Sequence, residues 1–248
     1  MLNNWILPDW DAPANVAAIS TSRAGGFSEG DYASLNLALH VGDAADTVRR
    51  NRDFLKNLAA LPNEPIWLQQ IHGKGLLNLD TALSPENIPE ADGSFTGQTG
   101  RVCVVMTADC LPILLCDRQG SWVAALHGGW RGLQQGIIQQ AIRQYPGEPQ
   151  QLLAWLGPAI GPDAFEVGQD VFDAFAQLHT DFTDAFKFKS SQHYWADIYE
   201  IARIQLAQLG VYAISGGDYC TYHDSERFFS YRRQQNTGRM ATLCWLRA

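Results

Sequence analysis

Two imidazoles and one thiol lie where apolar segments of the chain give way to small or polar residues. His72, Cys110 and His127 each lie at or close to the end of a short apolar run that has the pattern of a β-strand. Side chains at strand ends beside a crevice are both rigid and reachable. Two imidazole nitrogens and one thiolate suit zinc or copper, and three protein ligands leave a fourth position open, as in catalytic metal sites. The sequence therefore predicts a metal centre at these three residues, with zinc expected and copper as the alternative.

Each of these residues also has a purely structural explanation. A free cysteine often packs as a small hydrophobic residue, and a single histidine at a strand end is often only part of the local hydrogen bonding. Asp109, the neighbour of Cys110, lies at the break between two apolar runs. It is a candidate for proton transfer, and equally for a carboxylate that orients a metal-bound histidine. The residues alone leave both roles of Asp109 open.

Three glycines and an arginine follow His127, in the order Gly128-Gly129-Trp130-Arg131-Gly132. A glycine-rich start of a helix exposes backbone N–H groups and the positive end of the helix dipole. The guanidinium of Arg131 adds a cation that binds anions through two parallel hydrogen bonds. We therefore expect the 128–132 backbone and Arg131 to bind a substrate anion.

Several other patterns carry less weight. The segment Gly26-Phe27-Ser28-Glu29-Gly30 matches the G-x-S-x-G of hydrolases but lacks the preceding strand and following helix that give the motif meaning. The sequence contains no HExxH, no P-loop and no deaminase H-x-E with P-C-x-x-C. The remaining histidines are expected to be structural or exposed, namely His40, His179, His193 and His223.

Composition limits the class of protein further. The 248 residues are 46% hydrophobic and 18% charged, which is ordinary for a folded domain. The net charge of −8 disfavours nucleic-acid binding, and no apolar run approaches the length of a membrane helix. The five cysteines form an odd set without CxxC, and the first residues lack the basic cluster of a secretory signal. We expect a cytoplasmic protein with reduced thiols, no nucleic-acid partner and no membrane partner.

Periodicity predicts a mixed α/β fold with more strands than helices. Helices are predicted around residues 48–59, 133–145, 171–178 and 198–209, the last one capped by Asp197 and ended by Gly210. Strands are predicted at residues 66–68, 76–79, 102–106, 111–116, 122–126, 152–156, 211–214, 228–231 and 241–245. Because the loop at residues 84–90 is too short to separate domains, a single domain over residues 1–248 is expected.

The motifs in their order along the chain resemble the YfiH or laccase-domain family, also called multicopper polyphenol oxidase-like proteins. Two segments look like its main signatures: Thr107-Ala108-Asp109-Cys110-Leu111-Pro112 and His127-Gly128-Gly129-Trp130-Arg131-Gly132. Similar motifs continue at residues 21–26, 35–37, 40–43, 51–52, 70–72, 91–93, 156–158, 165–168 and 229–233. Ile71, where valine is usual, and Gly129, where alanine often stands, are departures that do not touch a predicted ligand.

The resemblance implies a fold, a metal site and a substrate class. The fold would be a single α/β (α+β) domain of layered mixed β-sheets sandwiched by helices, and the His/Cys/His metal site would map onto His72, Cys110 and His127. The activity would be phosphorolysis of adenosine, inosine, guanosine and methylthioadenosine, with deamination of adenosine. The partners would be purine nucleosides and phosphate, bound by a monomer or small homo-oligomer.

Several residues are candidates for binding the substrate or moving its protons. Arg131 is the first candidate for phosphate, and Arg23 and Arg232 are weaker ones because arginines in motifs also make structural ion pairs. Asn36 is a candidate contact to ribose or base, or equally an Asx-turn residue. Asp92, like Asp109, is a candidate for moving protons at the substrate.

Three other functions remain open at this point. The first is a metal-free cysteine hydrolase that edits peptidoglycan precursors, with Cys110 as nucleophile and His127 or His72 as base. The second is a copper-dependent phenol oxidase, although six histidines are few for several copper sites. The third is a binding module without catalysis.

Overall fold

The structure, a computed structural model, describes residues 5–81 and 88–248, and within them the chain forms twelve β-strands and five α-helices. The strands are β1 (Val16–Ser20), β2 (Leu77–Asn78), β3 (Gly93–Thr96), β4 (Val102–Thr107), β5 (Leu111–Asp117), β6 (Val123–Gly128), β7 (Leu152–Leu156), β8 (Glu166–Gly168), β9 (Phe186–Ser190), β10 (His193–Ala196), β11 (Ala213–Gly216) and β12 (Met240–Leu246). The helices are α1 (Ala45–Leu58), α2 (Trp130–Gln135), α3 (Ile137–Gln144), α4 (Gln169–Ala176) and α5 (Ile198–Gln208). The predicted loop at residues 84–90 lies mostly outside the described residues.

Three sheets organise these strands. The largest has six strands in the order β11-β7-β5-β6-β3-β2 and is mixed, since β11 runs parallel to β7 and β2 parallel to β3, while the other pairs are antiparallel. The second sheet is antiparallel, with the order β1-β12-β4. The third, β8-β10-β9, is also antiparallel. This confirms the predicted mixed α/β class.

The two larger sheets and the helices pack in layers. Leu55 of α1 packs with Val104 of β4 on one face of the three-stranded sheet. The next residue, Val105, points the other way and packs with Leu114 of β5 in the core between the two sheets. On the far face of the six-stranded sheet, α3 and α5 cover another apolar cluster. Because successive strand residues face opposite sides, strands that are apolar throughout indicate a sheet covered on both faces.

Two predicted strands are wrong, and both are irregular segments that are only partly buried. Residues 66–68 form no ladder, and residues 228–231 are turn and coil, although Phe228 and Phe229 are fully buried. The N–H of Phe228 bonds to the carbonyl of Asp224, and the N–H of Phe229 bonds to the sulfur of Met240. Burial alone therefore produced the apolar pattern. The strands β1, β3, β8, β9 and β10 were not predicted, in several cases because they are short or contain small and polar residues.

The helix predictions are confirmed with one change. Asp197 caps α5 by accepting hydrogen bonds from the N–H groups of Tyr199 and Glu200 at 2.9 and 3.0 Å. The segment predicted as one helix at 133–145 is divided into α2 and α3 by Gly136, whose φ of 88° is left-handed. None of the helices in the described ranges is long and apolar enough to cross a bilayer.

Leu114→Ala tests the core between the two larger sheets. Leu114 is fully buried in the centre of β5, so we expect a loss of about 2–5 kcal/mol in the free energy of unfolding. Urea denaturation followed by circular dichroism measures it. Leu178→Ala, at a 48% exposed position, is the matched control and should stay within about 0.5 kcal/mol of the parent protein. Equal losses for both variants would contradict the layered core.

Candidate metal centre and its cavity

His72, Cys110 and His127 meet at one end of the six-stranded sheet. Their candidate ligand atoms all lie within 4.8 Å of one another. The sulfur of Cys110 is 3.9 Å from Nε2 of His72, and the rings of His72 and His127 are 4.7 Å apart at an angle of 74°. Three residues that are distant in the sequence thus form one compact cluster of nitrogen and sulfur atoms.

The strand register brings Cys110 and His127 together. In the antiparallel pair β5–β6, Leu111 lies opposite Gly128 and Pro112 lies opposite His127. Cys110 immediately precedes β5 and therefore lies at the same edge of the sheet as His127. The tight connection from β4 to β5 passes through Asp109, which has a left-handed φ of 99°. A non-glycine residue with this φ is held there by its surroundings.

The carboxylate of Asp92 positions both histidines. Its Oδ1 lies 2.8 Å from Nδ1 of His127 and accepts the N–H of His72 at 2.8 Å. Its Oδ2 accepts the N–H groups of Gly73 at 2.6 Å and Ile71 at 3.3 Å. These bonds stabilise the turn in which His72 takes a left-handed φ of 59°. They also leave Nε2 of His127 as the ring nitrogen that faces the cluster, an arrangement typical of metal-binding histidines.

Asp92 was predicted to move protons at the substrate, and the structure places its side chain behind His127. The residue is fully buried behind His127 and does not line the cavity. The sequence shows an acidic residue beside a strand but not the direction of its side chain.

Charges within the cluster shift the pKa values of its members. Burial by itself raises the pKa of Cys110, but the charge and hydrogen bonds of His127 and His72 outweigh burial and bring it down to about 6. Burial lowers the pKa of His127, but the Cys110 charge and the hydrogen bond to Asp92 raise it to about 9. Burial also opposes ionisation of Asp92, yet its hydrogen bonds from His127 and Gly73 lower its pKa. At neutral pH these shifts favour a thiolate beside an imidazolium.

The cluster fits a tetrahedral metal ion. Zinc with its usual bond lengths holds a nitrogen and a sulfur about 3.6 Å apart, close to the 3.9 Å between Nε2 of His72 and the sulfur of Cys110. A thiolate and two imidazoles are a donor set that zinc and copper share. The donor atoms and their spacing therefore suit the binding of a metal ion.

Glycines allow the neighbouring chain to approach the cluster. A Cβ atom on Gly129 would lie 3.1 Å from Cδ2 of His72 and 3.3 Å from the sulfur of Cys110. A Cβ atom on Gly132 would lie only 2.7 Å from the carbonyl oxygen of Gly73. The missing side chains thus let α2 pack directly against the turn that carries His72. Close packing is therefore one reason for the glycines that followed His127 in the sequence.

A cavity of about 480 Å³ opens beside the cluster. This volume lies within the range of small-molecule sites. The wall includes apolar and aromatic side chains as well as cationic ones. The lining consists of His40, Gln70, His72, Met106, Thr107, Ala108, Asp109, Cys110, His127, Trp130, Arg131, Ile160, Phe165, Ile198, Tyr231, Arg232 and Arg239.

Three of the other predicted site residues line this cavity. Arg131 is exposed and lies over the ring of Trp130, with 4.4 Å from Cζ to the ring centroid. Arg232 donates from Nη1 to the carbonyl of Glu166 at 3.0 Å. The carboxylate of Asp109 accepts a hydrogen bond from the hydroxyl of Thr221 at 2.6 Å and one from the N–H of Arg232 at 2.6 Å. Asp109 therefore holds the loop of Arg232. The carboxylate that orients His127 belongs to Asp92.

Arg23 and Asn36, which were predicted as candidate contacts to substrate, are not among the residues that line the cavity. Arg23 donates to the carbonyl groups of Ala33 and Ser225 and lies over the ring of Phe229. Asn36 is fully buried, and its side-chain carbonyl accepts the N–H of Ala38 in an Asx turn, the structural alternative. Both side chains are used inside the protein.

His40 and Arg239 are two titratable cavity residues that the sequence did not predict as part of the site. His40 is exposed, in line with the expectation that it is structural or exposed, and it also lines the cavity. Arg239 also lines the cavity, although it precedes a strand on the second sheet. His40 belongs to the 40–43 motif, which was a usable signal, whereas Arg239 stands in no motif and could be found only from the fold.

The layered fold and the cluster beside a cavity define a class of candidate metalloenzyme. The chain belongs to the multi-copper polyphenol oxidoreductase laccase family, whose profile matches residues 17–247. The resemblance seen in the sequence is thus confirmed.

Individual relatives match along almost the whole chain. A protein of Shigella flexneri named purine nucleoside phosphorylase YfiH is 48% identical over 99% of this chain and 100% of its own. One of Pseudomonas aeruginosa, also named purine nucleoside phosphorylase, is 46% identical over 99% of each chain. A crystal structure from Neisseria meningitidis, at 47% identity, superposes with a TM-score of 0.95 over 99% of this chain and 100% of that one.

Asp92→Asn tests the positioning of the two histidines. The amide cannot accept all the hydrogen bonds that the carboxylate accepts, so we expect a 10- to 100-fold loss of metal affinity. Competition with a chromogenic chelator measures the affinity, and circular dichroism checks folding. Asp117→Asn is the matched control, since Asp117 is a buried carboxylate that accepts backbone N–H groups at the far end of β5. A metal affinity unchanged in Asp92→Asn would refute the positioning role.

The thiol of Cys110 is expected to react at unusually low pH in chelator-treated protein. Its pKa of about 6 lies below the 8.5 or so of an ordinary thiol, so thiolate persists down to mildly acidic pH. The pH profile of iodoacetamide labelling, read at Cys110 by peptide mass spectrometry, should have its midpoint near that pKa. Cys220, the other partly exposed thiol, serves as internal comparison, and coincident profiles for the two thiols would count against the shift.

Proposed function

We propose that this protein is a metal-dependent purine nucleoside phosphorylase that also deaminates adenosine. The observation that carries the proposal is the His72/Cys110/His127 cluster at the wall of a cavity that is partly aromatic and partly cationic. The names of the relatives support the phosphorylase activity. The proposed substrates are adenosine, inosine, guanosine and methylthioadenosine, together with inorganic phosphate.

His72, Cys110 and His127 would hold the ion, for which we propose zinc. When bound, the ion would supply a Lewis acid, which the deamination of adenosine requires to make water nucleophilic near neutral pH. In that reaction a water oxygen forms a bond to C6, the C6–N bond breaks, and ammonia leaves. Asp92 fixes the ring of His127 from behind and so maintains the donor geometry.

The aromatic part of the cavity suits a purine. Phe165, Tyr231 and Trp130 line it together with aliphatic side chains, and flat bases stack on such surfaces. Tyr231 is half exposed, so the base has an access path from solvent. The same walls would limit the access of water to the sugar, since water would otherwise compete with phosphate as the nucleophile.

The cationic part of the cavity suits the second substrate. In phosphorolysis an oxygen of hydrogenphosphate forms a bond to C1′ of ribose while the C1′–N9 bond breaks and its electron pair goes to the purine. The proton that hydrogenphosphate gives up balances the one that the departing base gains. Arg131 and Arg232 line the same cavity and contribute positive potential that attracts the anion.

A cysteine hydrolase is the second candidate, favoured by one distance. Cys110 lies 3.9 Å from Nε2 of His72, an arrangement of nucleophile and base found in cysteine enzymes, where the contact tightens on substrate binding. Such an enzyme would act on an amide, as in editing of peptidoglycan precursors, without a metal. A phenol oxidase with several coppers is less well supported, because the described residues contain a single cluster of this type.

Incubation of the metal-loaded protein with adenosine separates these functions. With phosphate we expect adenine and ribose-1-phosphate, and without phosphate we expect inosine, both identified by chromatography. Cys110→Ala should lose bound metal and at least about 100-fold in both rates, since one of three ligands is missing. Cys220→Ala, at a thiol outside the cluster, is the matched control. Activity that survives chelation and gives a covalent adduct on Cys110 would replace the proposal with the hydrolase.

A further inference from the structure

Arg239 is the most enclosed cation of the cavity. Its side chain is only partly exposed, in contrast to those of Arg131 and Arg232, which are exposed. Burial lowers the pKa of Arg239, while the charges of Cys110 and Asp109 act in the opposite direction. Within residues 5–81 and 88–248, no carboxylate forms an ion pair with its guanidinium. A half-buried cation without an ion-pair partner at a cavity wall favours an anionic ligand.

The guanidinium of Arg239 is fixed and still has free donors. Its Nη1 donates to the carbonyl groups of Thr237 at 2.9 Å and Gly238 at 3.0 Å. Arginine has five N–H donors, so the N–H groups on Nη2 and Nε remain for a ligand. These two nitrogens form the edge that binds two oxygens of one phosphate or carboxylate. A guanidinium held by two carbonyl groups loses little conformational freedom when such an anion binds.

His40 lines the same cavity and is close enough to Arg239 for the two charges to interact. Burial lowers the pKa of His40, and the positive charges of Arg239 and Arg52 lower it further. A neutral imidazole has one N–H donor and adds no repulsion to the guanidinium. Within residues 5–81 and 88–248, His40 likewise forms no ion pair with a carboxylate.

Asn36 ties these two residues together. Its Oδ1 accepts the N–H of Arg239 at 3.0 Å and the N–H of Ala38 at 3.0 Å. Its Nδ2 donates to the carbonyl of Ala38 and to Asp43. The side chain thus connects the backbone of Arg239 with the 38–43 turn that carries His40. A fully buried amide in this place sets the relative position of two cavity residues that are about 200 positions apart.

We propose that Arg239 and His40 form the binding site for the attacking inorganic phosphate, with Asn36 as the residue that positions them. The inference rests on the proposed phosphorylase function. It assigns the phosphate to Arg239 and not to Arg131, the arginine that the sequence suggested, since Arg131 is exposed and lies over the ring of Trp130. Arg239 is better placed because an enclosed cation with a lower local dielectric attracts a dianion more strongly. Bidentate binding by Arg239 also orients the oxygen that attacks C1′.

The test measures phosphate and nucleoside dependence separately. For Arg239→Gln in the metal-loaded enzyme we expect the KM for phosphate in inosine phosphorolysis to rise at least 10-fold, while the KM for inosine changes less than 3-fold. His40→Gln should raise the KM for phosphate by a smaller factor. Arg239→Lys should fall between Gln and the parent protein, since it keeps the charge but loses the bidentate edge.

Controls keep the outcome unambiguous. Arg143→Gln, at an exposed position of α3 away from the cavity, should leave both constants unchanged, and metal content and melting temperature are compared for every variant. If Arg131→Gln alone raises the KM for phosphate, the inference is overturned. It is also overturned if Arg239→Gln weakens binding of adenosine 5′-monophosphate but leaves the KM for phosphate unchanged, because the site then serves a nucleotide.

Calorimetric titration with orthophosphate distinguishes failure of this inference from failure of the proposed function. Phosphate binding that is lost in Arg239→Gln supports the site even if the parent protein catalyses no phosphorolysis. Normal phosphorolysis with unchanged phosphate binding in both Arg239→Gln and His40→Gln refutes the site while leaving the phosphorylase function intact. Absence of phosphate binding to the parent protein refutes the site as well. Should Arg239→Gln fail to fold, His40→Gln and Arg239→Lys decide the question by the same titration.

Discussion

The site depends on one buried carboxylate. Asp92 accepts a hydrogen bond from Nδ1 of His127 and three more from the N–H groups of residues 71–73. A buried charge is tolerated only when hydrogen bonds compensate for lost hydration, so the carboxylate and its donors stabilise one another. This single group fixes the ring of one histidine and the left-handed turn that carries the other. The distances from the two imidazole rings to the sulfur of Cys110 therefore depend on Asp92.

The cavity wall combines apolar side chains with cationic ones. Aromatic and aliphatic side chains such as Phe165 and Ile198 supply apolar surface, and arginines supply positive charge. A net charge of −8 gives the protein no general attraction for phosphates, so the anion must be attracted locally. The hydrogen bonds of Asp109 and Asn36 hold the loops that bear Arg232 and Arg239. Asp109, a candidate for proton transfer, and Asn36, a candidate contact to substrate, thus both hold a loop that carries a cavity arginine.

Much of the fold was accessible from local pattern. The apolar runs of β4, β5, β6 and β7 and the cap of α5 by Asp197 follow from periodicity and capping rules. The pattern failed at residues 228–231, where burial produces an apolar run without a ladder. It also failed at β3, a strand of the central sheet whose sequence Gly-Ser-Phe-Thr carries no strong strand signal. Strand formation there depends on pairing with β6, which is a long-range interaction.

The sequence by itself determined the mixed α/β class, the family resemblance, and the chemical types of His72, Cys110 and His127, because residue identity and local spacing are properties of the chain. Only the tertiary structure decided that these three side chains converge, that Asp92 lies behind His127 rather than in the cavity, and that His40 and Arg239 face it. The physical reason is that side-chain direction and strand register depend on contacts between segments up to about 200 residues apart, and these contacts leave no periodic trace in the local sequence.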